Sequence, residues 1–279
     1  MRIPRYWVRE TRELPQGGVM RLHGTSQQSM SDAGRRLEKR AALRLSFAAG
    51  QMSVEELRAG LRALEGHEET AEGYAADICE PIEQALDEHN IVTRNRYGAL
   101  VLNSDNLCFA DVDHVSGGVL NALAHLFGSG KSEEVLLMER IRSLCAADDS
   151  LGIRLYRTAA GFRLVLAGQG IVLGSPRLEE LFSLLEVDPL YRRLCAKQGC
   201  FRARLTPKPS RIGVKSAPRC MDSVTAAAAL VDWVPGYDAA CASFSVCRLV
   251  ERFGRPVSHP ALSLHDELTG ALLPDRRLA

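Results

Sequence analysis

The 279-residue chain has eight cysteines but no C-x-x-C pair. The nearest neighbours, Cys195 with Cys200 and Cys241 with Cys247, are spaced too widely for that motif. A zinc knot would have to be gathered from Cys200, Cys220 and a histidine. Free thiols packed as small apolar side chains are the simpler reading. An apolar leader is also lacking at Met1-Arg2-Ile3-Pro4-Arg5-Tyr6-Trp7, so no secretory signal is expected and the thiols should stay reduced in a cytoplasmic setting. The longest apolar run, around residues 226–231, falls far short of the roughly 20 residues that cross a bilayer. No membrane partner is expected. Internal repeats and low-complexity segments are absent.

What is present fits a globular chain: 46% hydrophobic and 25% charged residues, with a net charge of +1. So balanced a charge exerts no global pull on nucleic acid, and any such partner must be held by a local patch. One stretch is lopsided. Between Asp188 and Asp222 stand Arg192, Arg193, Lys197, Arg202, Arg204, Lys208, Arg211, Lys215 and Arg219, with no acid among them. Two readings remain open for this run. It either binds the phosphates of a nucleotide or nucleic acid, or forms a solvated basic face that contacts the chain's own acids. Arg202 and Arg204 alternate on a strand and would share a face.

The period of the apolar residues divides the chain in two. Residues 1–72 read as an N-terminal hairpin and helical module. A hairpin turns at Pro15-Gln16-Gly17-Gly18, and an amphipathic helix spans about 29–49. A second helix follows the capping box Ser53-Val54-Glu55-Glu56, and residues 65–73 form an acidic linker. Residues 73–279 read as an α+β domain, its sheet mainly antiparallel and built from hairpins, with helices covering one face.

Within that second part, residues 99–110 are expected to form a hairpin turning at Asn103-Ser104-Asp105-Asn106. A second hairpin flanks Thr158-Ala159-Ala160-Gly161. Helices are expected at 133–146, after Ser175-Pro176, after Asp188-Pro189, over 237–253 and from His265 onward. In the helix at 133–146, Val135, Leu136, Ile141, Leu144 and Cys145 would face inward.

Asn106-Leu107-Cys108-Phe109-Ala110-Asp111-Val112-Asp113 runs an apolar strand into two acids. Residues two apart on a strand project to one side, so Asp111 and Asp113 could share Mg²⁺ or Mn²⁺. They could equally cap a turn. Arg163, on the second hairpin, would face that site or form a cross-strand charge pair. His114 is a candidate ligand, and His265-Asp266 a candidate oriented pair. Gly128-Ser129-Gly130-Lys131-Ser132 is not a phosphate loop, because the first glycine that such a loop needs is His125. Trp7, with Tyr6 and Arg5, would either stack on a base or bury itself against the domain.

Phe109-Ala110-Asp111-Val112-Asp113 resembles the first metal-binding motif of the archaeo-eukaryotic primase-polymerase superfamily. Residues 157–166, a glycine turn followed by a strand, are similar to its second motif. Phe201-Arg202-Ala203-Arg204-Leu205-Thr206-Pro207-Lys208-Pro209 stands where a nucleotide-contacting segment would fall. The likeness covers residues 78–215.

The resemblance implies an α+β core with Asp111 and Asp113 as catalytic metal ligands. Arg163, Arg202, Arg204 and Lys208 would be the nucleotide- or phosphate-binding residues. The implied function is nucleotide or nucleic-acid binding, with metal-dependent phosphoryl or nucleotidyl transfer, or hydrolysis. The second motif's histidine is Arg163 here, and Asp222 is the candidate for a third acid. A non-catalytic module binding nucleic acid or an acidic protein is the alternative. The opening Arg2-Ile3-Pro4-Arg5-Tyr6-Trp7 is also similar to the start of a group of bacterial proteins, a likeness that brings no function with it.

Overall fold

Local capping chemistry sets most helix boundaries in the computed structural model, which describes residues 1, 3–14, 17–65, 78–113 and 130–279. His114, the glycine loop at 116–118, the linker beyond residue 65 and residues 128–129 lie outside this set.

The chain opens with strands β1 (Tyr6–Glu13) and β2 (Val19–Ser26), an antiparallel hairpin. Ser29 caps α1 (Met30–Ala48) by accepting from the Asp32 N–H. Ser53 and Glu56 bond reciprocally at the start of α2 (Val54–Glu65), forming the expected capping box. Met20, Leu22, Leu37 and Ala41 make a small core between the hairpin and α1. Trp7 is buried beside Cys79 and Ala226, and the Arg9 amide donates to Met221. Trp7 therefore serves packing, not base stacking.

Among the described residues two four-stranded sheets form the body. One runs β3 (Ile82–Ala85), β4 (Asn90–Arg94), β5 (Leu100–Ser104) and β9 (Phe201–Arg204). In the other, β11 (Cys247–Gly254), β7 (Gly152–Thr158), β8 (Phe162–Ala167) and β6 (Cys108–Val112) lie side by side. All the pairings inside both sheets are antiparallel. Helices α3 (Glu133–Ala147), α4 (Pro176–Leu184), α5 (Pro189–Gln198), α6 (Ser223–Cys241) and α7 (Pro260–Thr269), with the short parallel pair β10 (Phe244–Ser245) and β12 (Arg277–Leu278), complete an α+β architecture. Ser175 and Asp188 each cap a helix that has proline in its first turn. One large core joins Leu102, Phe109, Ile141, Leu155, Phe182 and Phe201 across both sheets.

Four expectations are corrected. Residues 99–110 are not a hairpin, because β5 pairs with β4 and β9 whereas β6 pairs with β8. The chain leaves one sheet for the other where Ser104 Oγ accepts the Leu107 N–H and the Asp105 amide donates to His89. Residues 237–253 are not one helix. Asp222 caps α6 well upstream, and residues 247–254 complete the edge of β7. A bulge between Leu249 and Glu251 breaks the two-residue alternation, so this strand carries helix-like spacing. The last helix starts at Pro260 under a His259 cap, which places His265 in its middle. In α3, Leu137 and Ile141 are buried while Val135 faces solvent.

β6 and β9 are the facing edges of the two sheets, and they adjoin through side chains. The Tyr191 hydroxyl donates to the Phe109 carbonyl on β6 at 2.9 Å. It also accepts the Arg202 N–H of β9 at 3.3 Å. A hydroxyl can do both at once, so Tyr191 spans the seam between the sheets.

Candidate functional site

Asp111 stands directly opposite Arg163 in the β6–β8 register. Arg163 Nε donates to Asp111 Oδ1 at 3.0 Å, with the guanidinium 2% and the carboxylate 35% exposed. Asp113 follows two residues on, exposed. The β7–β8 turn lies beneath it. A Cβ on Gly161, whose φ is 155°, would come within 2.3 Å of the Val112 carbonyl and 3.0 Å of Asp113 Cα. The Asp188 amide at the head of α5 donates to the Asp111 carbonyl at 3.0 Å. The strand end that carries both acids is thus fixed from two sides.

Arg163 also reaches across the seam. Its Nη1 donates to the Arg204 carbonyl at 2.8 Å and lies 3.5 Å from His265 Nε2. His265 Nδ1 faces Asp266 Oδ1 at 3.0 Å, and the same oxygen accepts from the Tyr156 hydroxyl at 2.8 Å. Arg154 binds the other Asp266 oxygen at 2.8 Å. These partners assign a neutral imidazole, donating from Nδ1 and accepting at Nε2. Burial pushes the His265 pKa down, the Asp266 hydrogen bond opposes the fall and the Arg163 charge adds to it. Burial works against the Arg163 charge too. Asp111, with Cys247 and Tyr191 adding to its effect, more than offsets burial, so the net shift is upward.

Cys247 Sγ lies 4.0 Å from His265 Nε2, which gives the outline of a Cys-His-Asp arrangement. The thiol is fully buried, and burial raises its pKa. A nucleophilic cysteine needs thiolate and access, so this group is structural.

β9 carries Arg202 and Arg204 on one face, yet their side chains meet different partners. Arg202 binds Glu80 at 2.6 Å and Gln198 at 3.3 Å. Arg204 is instead close enough to the Asp111–Arg163 pair to feel both charges. Its Nε is buried without a hydrogen-bond partner. Burial lowers its pKa to about 10, with the Arg163 and Arg211 charges adding to the effect and Asp111 opposing it. Lys208 is also lowered, by burial first and then by Arg204 and Arg211, while Tyr97 and Asp113 work the other way. Lys208 and Arg211 are held together by a short 3₁₀ turn, in which the Arg211 amide donates to the Lys208 carbonyl. Among the described residues no carboxylate forms an ion pair with Arg204, Lys208 or Arg211.

Of the residues singled out in the sequence, Asp111, Asp113, Arg163, Arg204 and Lys208 lie in one neighbourhood. Arg202 is turned to Glu80. Asp222 is tied into the cap of α6, accepting from the Val224 and Thr225 amides. Arg211 belongs to the basic run, and its place three residues after Lys208, just past Pro209, is a signal visible in the sequence. Nothing in linear spacing announces His265 behind Arg163.

The arrangement offers an anion three closely placed cations, beside two carboxylates on one strand end. For a metal, Asp111 and Asp113 would be the oxygen ligands to hand, though one Asp111 oxygen already accepts from Arg163. Among the described residues no group of three His, Cys, Asp or Glu side chains could hold an ion. A two-carboxylate seat fits Mg²⁺ where ligand phosphates and water supply the remaining positions. No helix among the described residues is long and apolar enough to cross a membrane. Compared with family models, with curated proteins and with solved structures, the chain matches none.

Proposed function

We propose that this protein binds the phosphate groups of a nucleotide or nucleic acid at the seam between its two sheets. The observation that carries this reading is the cluster of Arg204, Lys208 and Arg211. Arg204 is partly buried with Lys208 and Arg211 exposed beside it, the neighbouring charges add to the lowering of the Arg204 and Lys208 pKa, and none of the three has an ion-pair partner among the described residues. Such a cluster is costly without an anion and gains charge-assisted hydrogen bonds with one. Arg163 backs the site by holding Asp111 and the Arg204 carbonyl in place.

Asp111 and Asp113 extend the proposal to chemistry. With phosphates bound, they would hold Mg²⁺ or Mn²⁺, which neutralises charge developing on a transferring phosphoryl group. A phosphoryl or nucleotidyl transfer, or a hydrolysis, would follow. A non-catalytic binding module is the second reading, favoured by the bond that Arg163 already makes to Asp111.

Titration calorimetry with nucleotide, with and without Mg²⁺ or Mn²⁺, tests both readings. Binding that falls on Arg204→Ala supports the phosphate site. A metal-dependent increment lost in Asp113→Asn supports the catalytic extension. Binding that survives Asp113→Asn with no metal increment leaves the module. No binding by the native protein, even at low salt, rejects the proposal.

A further inference from the structure

The turn between β4 and β5 is built as firmly as the site beside it. Asn95 Oδ1 accepts the Tyr97 and Ala99 amides at 3.0 and 3.2 Å. Gly98 has a φ of 100°, and a Cβ there would lie 2.2 Å from the Trp233 ring. Only glycine allows so close an approach. Trp233 stacks on Tyr237 at 4.5 Å and donates from its indole to the Lys215 carbonyl at 3.1 Å. The Ala217 amide bonds the Tyr97 carbonyl at 3.0 Å. The basic loop at 208–217 is therefore clamped around this turn.

The register brings turn and cations together. Val101 pairs with Arg204, and the Leu205 amide donates to Leu100. The Leu100 amide in turn donates to Thr206 Oγ1 at 2.8 Å. The turn preceding Leu100 thus lies beside the chain as it leaves β9 toward Lys208. The Tyr97 phenol is near enough to Lys208 to weigh on its charge.

At this place stands an exposed aromatic ring. Tyr97 is 38% exposed, and the Arg96 guanidinium lies over its ring 4.6 Å from the centroid while also bonding its hydroxyl. The core already has its own aromatics, and an exposed tyrosine on a rigid turn adds little to packing. Beside unneutralised cations, a ring and a guanidinium plane are what a base stacks on.

We infer that Tyr97, with Arg96, is a stacking platform for a nucleobase whose phosphates rest on Arg204, Lys208 and Arg211. The inference rests on the phosphate-binding reading and narrows it. It selects ligands with an unpaired base, a free nucleotide or a single strand, over inorganic phosphates and over duplex.

Metal-free titrations with ADP, inorganic pyrophosphate, a short single-stranded oligonucleotide and its duplex decide the matter. ADP should bind roughly tenfold more tightly than pyrophosphate. Tyr97→Ala should bring ADP down to the pyrophosphate level, and Tyr97→Phe should keep the advantage. Unchanged pyrophosphate affinity in Tyr97→Ala shows that the variant is folded and its cation site intact. A single-strand site favours the oligonucleotide over ADP, a nucleotide site favours ADP, and both disfavour duplex. Equal binding of ADP and pyrophosphate, each weakened by Arg204→Ala, overturns the platform and leaves the phosphate site standing. Binding of neither overturns both.

Discussion

Arg163 and Asp111 face each other across antiparallel strands, with the arginine almost wholly buried and the aspartate a third exposed. The cation therefore depends on the acid more than the acid depends on the cation. Arg163 also holds the Arg204 carbonyl and approaches His265. A change at Asp111 will be felt in folding before it is felt in any chemistry.

Asp111→Asn should lower the free energy of unfolding by about 2 kcal/mol in urea titrations, below the range for a fully buried pair because the carboxylate is partly solvated. A double-mutant cycle with Arg163→Met should give a coupling of about 1–2 kcal/mol. Asp113→Asn should leave stability nearly unchanged. The exposed acid is for that reason the cleaner probe of metal binding.

Gly161→Ala should destabilise by about 1–3 kcal/mol, since its Cβ would press on the Val112 carbonyl. The strand end under Asp113 would have to shift. Thermal melting detects the loss as a Tm lowered by several degrees.

The two arginines of β9 should separate into different phenotypes. Arg202→Ala strands the mostly buried Glu80, so it should cost about 1–3 kcal/mol of stability and leave phosphate affinity largely intact. Arg204→Ala should do the opposite. It should weaken nucleic-acid binding and reduce the slope of log affinity against log salt by about one. Fluorescence anisotropy over a salt series reads that slope.

His265 should make the fold acid-sensitive in a defined window. Burial and Arg163 hold its folded pKa below the ordinary 6.5, with Asp266 opposing. Between those two values the unfolded chain binds a proton that the folded chain excludes. Stability is then complete above about pH 6.5, falls as the pH drops toward the folded value and levels beneath it. His265→Asn should be less stable at neutral pH and should lose this part of the slope. Urea denaturation from pH 5 to 8 in both proteins provides the comparison.

Elements decided by neighbours in sequence could be read in advance. Ser53 with Glu56, Ser175 before Pro176 and Asp188 before Pro189 each set a helix start through bonds spanning two or three residues. The turn at residues 158–161 joins β7 to β8 for the same reason. Where partners are remote, local pattern misled. Residues 99–110 look like a hairpin, but which strand takes the edge of β5 depends on residues 201–204. The bulge near Val250 imitates helical spacing because the strand bends to stay on β7. Arg202 and Arg204 are equivalent in sequence. Glu80, 122 residues from Arg202, distinguishes them. On the sequence alone Arg163 either faces the acids or forms a cross-strand charge pair, and the β6–β8 register makes Asp111 its cross-strand partner.

The hydroxyl of Tyr191 has a consequence for the proposed site. It gives its proton to β6 and takes one from β9, and burial pushes its pKa far above the usual phenol range. The strand bearing the acids and the strand bearing the bases are thus tied by two bridges, the Arg163 guanidinium and a single oxygen atom delivered by a helix residue that carries no charge. Phenylalanine there would preserve the ring's bulk and remove the second bridge, leaving every charged group intact but held in step by Arg163 alone.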